Sequence, residues 1–89
     1  MQRFLIERDM PGAAELTDEQ LAEIAQKSNA TADSLGVDYA WITSYVAGDK
    51  VYCVHDADNE DTVREHSRRA GFPVTAATPI ANVFGPGSA

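Results

Sequence analysis

The sequence predicts an α+β domain of the ferredoxin-like βαββαβ class, in which two helices cover one face of a four-stranded antiparallel sheet. Strand-like segments and two segments of helical periodicity follow one another in the order strand, helix, strand, strand, helix, strand. The two central strands are joined by a short Gly-Asp turn, as in a β-hairpin. A chain of 89 residues is also the size of one small domain.

The first strand and the first helix are marked by the residues at their ends. Phe4–Ile6 lies between charged residues, which is typical of a strand, and Pro11–Gly12 then predicts a turn. The helix is expected to begin after Thr17, because Gln20 stands three residues later in a capping-box pattern, and Gly36 suits its end. One stripe of this helix is predicted to face the sheet: Leu21, Ile24, Ala25, Ser28, Ala32 and Leu35.

The central segment predicts a hairpin whose two faces differ in side-chain size. A two-residue turn at Gly48–Asp49 pairs Ala47 with Lys50, whereas a three-residue turn would pair the strands differently. Small side chains suit the face beneath the helices, and large aromatic ones suit the bare face. The predicted helix-covered face carries Ile42, Ser44, Val46, Val51, Cys53 and His55. The predicted bare face carries Trp41, Tyr45, Tyr52 and Val54.

The remaining elements complete a single domain. The second helix is expected to begin at Asp58 or Asn59 as its cap and to end at Gly71. The segment VTAATPI then predicts the final strand. We therefore predict one ferredoxin-like domain over residues 1–80 and a C-terminal tail, rich in glycine and proline, over residues 81–89.

The aromatic residues of the bare face predict a homodimer. An exposed cluster of Trp41, Tyr45 and Tyr52 is unusual on a soluble monomer and is typical of an interface. A chain of this length also buries only a small core, which a second copy can extend. We expect two bare sheet faces to meet in a dimeric α+β barrel with these three residues at the interface.

Composition excludes several kinds of partner. Fourteen acidic and seven basic residues give a formal net charge of −7, whereas binding to nucleic acid requires a basic surface. Nucleic acid and membranes are therefore not expected as partners, and no segment has the pattern of a signal peptide or of a membrane span. The single cysteine excludes an intramolecular disulfide. These features favour a cytoplasmic protein.

The charged run Glu7–Asp9 predicts an ion pair at the end of the first strand.

The segment Val51–Pro73 contains the only cysteine and both histidines of the chain. His66 lies on the helical stripe that is predicted to face the sheet, and Cys53 and His55 lie on the sheet face beneath it, so the three side chains can converge. Glu7 adds a carboxylate on a face that the pattern does not fix. Such ligands suit a divalent transition metal such as Ni²⁺, Zn²⁺ or Cu²⁺. The candidate metal ligands are therefore His66, His55, Cys53 and Glu7.

The same residues also have a structural interpretation. A buried cysteine usually packs as a small core residue. A buried histidine is more often a hydrogen-bonded structural group than a metal ligand. The pattern C-x-H with a distant histidine is not a specific ligand motif. No hydrolase, kinase or dinucleotide signature is present, so no catalytic residue is assigned and a binding protein is favoured over an enzyme. Three classes stay open: a metal-binding protein, a small-molecule binder or cofactor-free enzyme of the dimeric α+β barrel type, and an interaction module without chemistry.

The segments FLIERDMPGA, SYVAGDKVYCVHDADNEDTVREH and AGFP resemble a family of small bacterial domains of unknown function, DUF 4242, from Phe4 to about Pro79. This family is similar to an actinobacterial nickel-binding protein of ferredoxin-like fold. The resemblance implies a dimer and raises the expectation of Ni(II) or another divalent transition metal, and it implies no organic cofactor. Glu7, Cys53 and His66 match the family pattern at their positions.

Overall fold

Four strands and two helices form the fold, and the computed structural model describes all 89 residues. The strands pair antiparallel in the order β2-β3-β1-β4, which confirms the ferredoxin-like prediction. Neither helix has the length and apolar character needed to cross a membrane. The elements are β1 (Gln2–Asp9), α1 (Asp18–Ser34), β2 (Tyr39–Ala47), β3 (Lys50–Ala57), α2 (Glu60–Ala70) and β4 (Ala76–Pro79), with short 3₁₀ turns at Ala13–Glu15 and Pro86–Ser88.

The ends of both helices follow from their capping residues. Gln20 N donates to Thr17 Oγ1 at 3.1 Å and Thr17 N donates to Gln20 Oε1 at 2.9 Å, so the predicted capping box of α1 is confirmed. For α2 the cap is Asn59, whose Oδ1 accepts from Thr62 N at 2.9 Å. α2 ends at Gly71, where a φ of 75° favours glycine.

The core lies between the helices and one face of the sheet. Ile6, Ala57, Val63 and Ala70 are fully buried there. Polar side chains occupy the same layer, which is unusual because burial of a polar group is costly unless it finds a partner. The buried polar and charged residues are Arg8, Ser28, Thr31, His55, His66 and Ser67.

A β-bulge in β2 places Trp41 on the helix-covered face, so the prediction that it lies on the bare face was wrong. The two-residue turn gives the predicted pairing from Ala47 to Thr43, but His55 then pairs with Trp41 instead of Ile42. The bulge inserts one residue, which reverses the side-chain alternation beyond it. Trp41 and Ile42 consequently both line the space beneath α1.

The bare face keeps the other two predicted aromatic residues. Tyr45 and Tyr52 are opposite each other in the register, and Tyr52 alternates with buried residues of β3. Tyr45 is 61% exposed, and Leu5 of β1, two strands away on the same face, is 41% exposed. A second copy in contact with this face would remove these apolar side chains from water.

Candidate functional site

A cavity of about 430 Å³ lies between α1 and the helix-covered face of β2 and β3. Its volume falls within the range of small-molecule binding pockets. The cavity exists because small side chains line both of its walls. These are Ala25 and Ser28 on α1 and Ser44 on the strand beneath it. The larger apolar lining residues include Leu16, Leu21, Ile24, Trp41, Val46 and Val51.

Three ionisable side chains of the sheet line the cavity: Arg8, Cys53 and His55. Arg8 is only 2% exposed. Its Nη1 donates to Ser67 Oγ at 2.9 Å and to the Pro73 carbonyl oxygen at 2.8 Å, and its Nε lies 3.5 Å from Cys53 Sγ. Its Nη2 is buried without a hydrogen-bond partner. The cavity therefore contains a guanidinium whose donors are incompletely satisfied.

No carboxylate neutralises this guanidinium. The ion pairs of the chain are made by Arg3, Lys50, Arg64, Arg68 and Arg69. The expected ion pair at the end of β1 forms instead between Glu7 or Asp9 and Lys50 on the bare face. Arg8 lies on the opposite face, with its guanidinium carbon 5.5 Å from the centre of the Phe72 ring. An uncompensated buried charge is costly, so this group favours an anion in the cavity.

Sequence reasoning missed Arg8 because it occurs within a run of charged residues. The signal that could have found it is strand alternation. Phe4, Ile6 and Arg8 occupy every second position of β1, and all three are buried.

The two histidines form a buried pair next to this cavity. Their ring centroids are 5.3 Å apart at an interplanar angle of 66°. Tyr39 contacts both, because its Oη lies 2.6 Å from His55 Nδ1 and its ring stacks on that of His66 at 4.9 Å. His66 Nε2 donates to the Ser28 carbonyl oxygen at 3.0 Å, which leaves His66 Nδ1 buried without a partner.

Both imidazoles are neutral at pH 7. Burial, followed by electrostatic repulsion from His66 and Arg8 when His55 takes up a proton, lowers the pKa of His55 from 6.5 to about 3. Burial also lowers the pKa of His66, against the opposing effect of the Ser28 carbonyl group. Neutral imidazole is the form that binds a metal ion. The pair is therefore in the protonation state that a metal site requires.

Comparison with known proteins places the chain in a family. The family model described as "Nickel responsive protein SCO4226-like" matches residues 4–80. The chain belongs to this nickel-responsive family. The solved structure of SCO4226 from Streptomyces coelicolor A3(2) is similar with a TM-score of 0.77 and 18% identity, over 92% of this chain and 99% of that chain, which confirms the fold. No curated protein matches the chain.

The four predicted metal ligands do not all lie on the same side of the sheet. His55, His66 and Cys53 lie on the helix-covered side of the sheet, as predicted. Glu7 does not join them, because it lies on the bare face with its Oε1 3.1 Å from Lys50 Nζ. No three His, Cys, Asp or Glu side chains form a group that could hold one metal ion. The histidine pair fits nickel in donor type and protonation, but one chain does not supply a complete ligand set.

Proposed function

We propose that the protein binds nickel(II) through His55 and His66 and acts in a response to nickel. One observation carries this proposal: each imidazole is neutral and has one ring nitrogen held by a protein oxygen, while its other nitrogen makes no hydrogen bond. Metal-binding histidines typically have such an oxygen partner, which fixes the tautomer and orients the ring. Imidazole nitrogen suits nickel, and membership of the nickel-responsive family supports the choice of metal.

We propose that water or a small anion from the cavity fills the other coordination positions of the nickel ion. Cys53 and His55 both line the cavity, so water or a small anion can reach this side of the histidine pair. Cys53 is not added to the proposed ligands, because no three His, Cys, Asp or Glu side chains come close enough together to hold one metal ion. Glu7 is not part of this proposal, because the sheet separates it from the histidines.

Isothermal titration of untagged protein with Ni²⁺ at pH 7.5 tests the proposal. We expect binding at micromolar concentrations, and we expect His66→Ala and His55→Ala each to weaken it at least tenfold because each removes a donor. Glu7→Gln is the matched control, and it should bind nickel like the parent. Circular dichroism without metal checks that each variant is folded.

The nickel proposal has clear contradicting outcomes. Absence of nickel binding by the parent would reject it. Loss of binding in Glu7→Gln with retention in a folded His66→Ala variant would move the site to the bare face. Binding should also weaken at acidic pH, because a protonated imidazole cannot act as a ligand.

The cavity supports a second candidate function, the binding of a small organic molecule. Its apolar walls and its small number of polar groups resemble those of ligand pockets. No residue is proposed to act as a catalyst.

We further propose that the protein is a homodimer formed through the bare sheet face and that it acts in the cytoplasm. The exposed apolar side chains of Tyr45 and Leu5 support the dimer. The buried free thiol of Cys53 suits a reducing compartment. The assignment to DUF 4242 and the extent of the domain over residues 1–80 stay predictions. Trp41 is not part of the proposed interface, because the β-bulge places it on the helix-covered face.

A further inference from the structure

We propose that the cavity beneath α1 binds a small organic carboxylate, whose carboxylate group pairs with Arg8 and whose apolar part lies between α1 and the sheet. This inference does not depend on nickel binding, because Arg8 and the apolar walls carry it.

The position of Arg8 is the first part of the argument. It lines the cavity, is 2% exposed and has a buried Nη2 without a partner. Its other guanidinium nitrogens face a hydroxyl group, a carbonyl oxygen and a thiol sulfur, none of which is a carboxylate. An anionic ligand in the cavity would supply the missing negative charge next to this guanidinium.

The lining of the cavity selects the kind of anion. Eleven of its sixteen lining residues are hydrophobic, and Arg8 is the only Arg or Lys among them. A phosphate group carries more charge and more acceptor oxygens than one guanidinium can satisfy, whereas a carboxylate matches its planar donor geometry. If the remainder of the ligand is a hydrocarbon, its burial against the apolar walls contributes most of the binding free energy.

The shape of the cavity sets the size of the ligand. A volume of about 430 Å³ accommodates a hydrocarbon chain or a single aromatic ring beyond the carboxylate. Leu21 and Ile24 of α1 form one wall, and Trp41 and Val46 of β2 form the facing wall. The β-bulge is what brings Trp41 to this side, so it enlarges the apolar surface available to a ligand.

Calorimetric titration with octanoate and with 1-octanol in metal-free buffer tests the inference. The two probes share a hydrocarbon chain and differ in the charged group. We expect the parent to bind octanoate at least tenfold more tightly than octanol. Arg8→Met removes the charge at similar length and should abolish this preference. Ala25→Phe fills the cavity from α1 and should weaken the binding of both probes.

Lys50→Met is the matched control, because it removes a cation from the bare face and should leave the preference for octanoate unchanged. Failure of the parent to bind either probe, or equal affinity for both, would overturn the inference. A preference that persists in Arg8→Met would also overturn it. If Arg8→Met does not fold, the comparison of the two probes on the parent and on Ala25→Phe decides the question.

Discussion

Acidification from pH 6.5 to pH 5 should destabilise the protein by about 1.6 kcal/mol through His55 alone. The unfolded chain takes up a proton on this residue near its ordinary pKa of 6.5, whereas the folded protein resists protonation until the pH approaches 3. The stability is therefore fully present above pH 6.5 and is lost as the pH falls through this window. His66 shifts in the same direction and adds to the loss.

Urea unfolding at several pH values measures this effect. Paired carboxylates do not obscure it, because Arg68 and Arg69 hold the pKa of Glu65 at about 2, and Arg3 lowers that of Asp56. The stability that these acids contribute is lost only at more acidic pH. His55→Gln is the control, and its free energy of unfolding should fall less steeply between pH 6.5 and pH 5. A free energy that stays constant over this range in the parent would contradict the buried neutral histidines.

Tyr45→Glu should convert the proposed dimer into monomers. It places a charge on the bare face, on the edge strand β2, where dimerisation would bury it without a partner. We expect the dissociation constant to rise by about a hundredfold or more, since each 1.4 kcal/mol of lost binding free energy corresponds to a factor of ten. Sedimentation equilibrium measures the change.

Val37→Glu is the matched control, because Val37 is an exposed apolar residue outside the sheet. It introduces the same charge and should leave the association unchanged. A parent that sediments as a monomer at all concentrations would contradict the dimer. Unchanged association of Tyr45→Glu would place the interface on another surface.

Much of the fold could be predicted because its signals are local. The capping box at Thr17, the turn at Gly48 and the left-handed glycine at Gly71 are each set by a few adjacent residues. The same holds for the face of His66, which follows from helical spacing within α2.

The errors arose where a face depends on more than local pattern. Trp41 was misplaced because a bulge adds one residue to a strand without a distinctive sequence signal. The sheet face on which Glu7 lies could be assigned only once its neighbours Ile6 and Arg8 were known to be buried. The need of Arg8 for a counter-ion is visible only when all of its neighbours are known.

Anomalous diffraction at the nickel absorption edge tests the central claim most directly. Crystals of untagged protein grown with Ni²⁺ should show a nickel peak next to His66 Nδ1 and the ring of His55, and this peak should be absent from crystals of His66→Ala. Diffraction that shows no nickel peak at the histidine pair, or a peak only on the bare face near Glu7, would contradict the account.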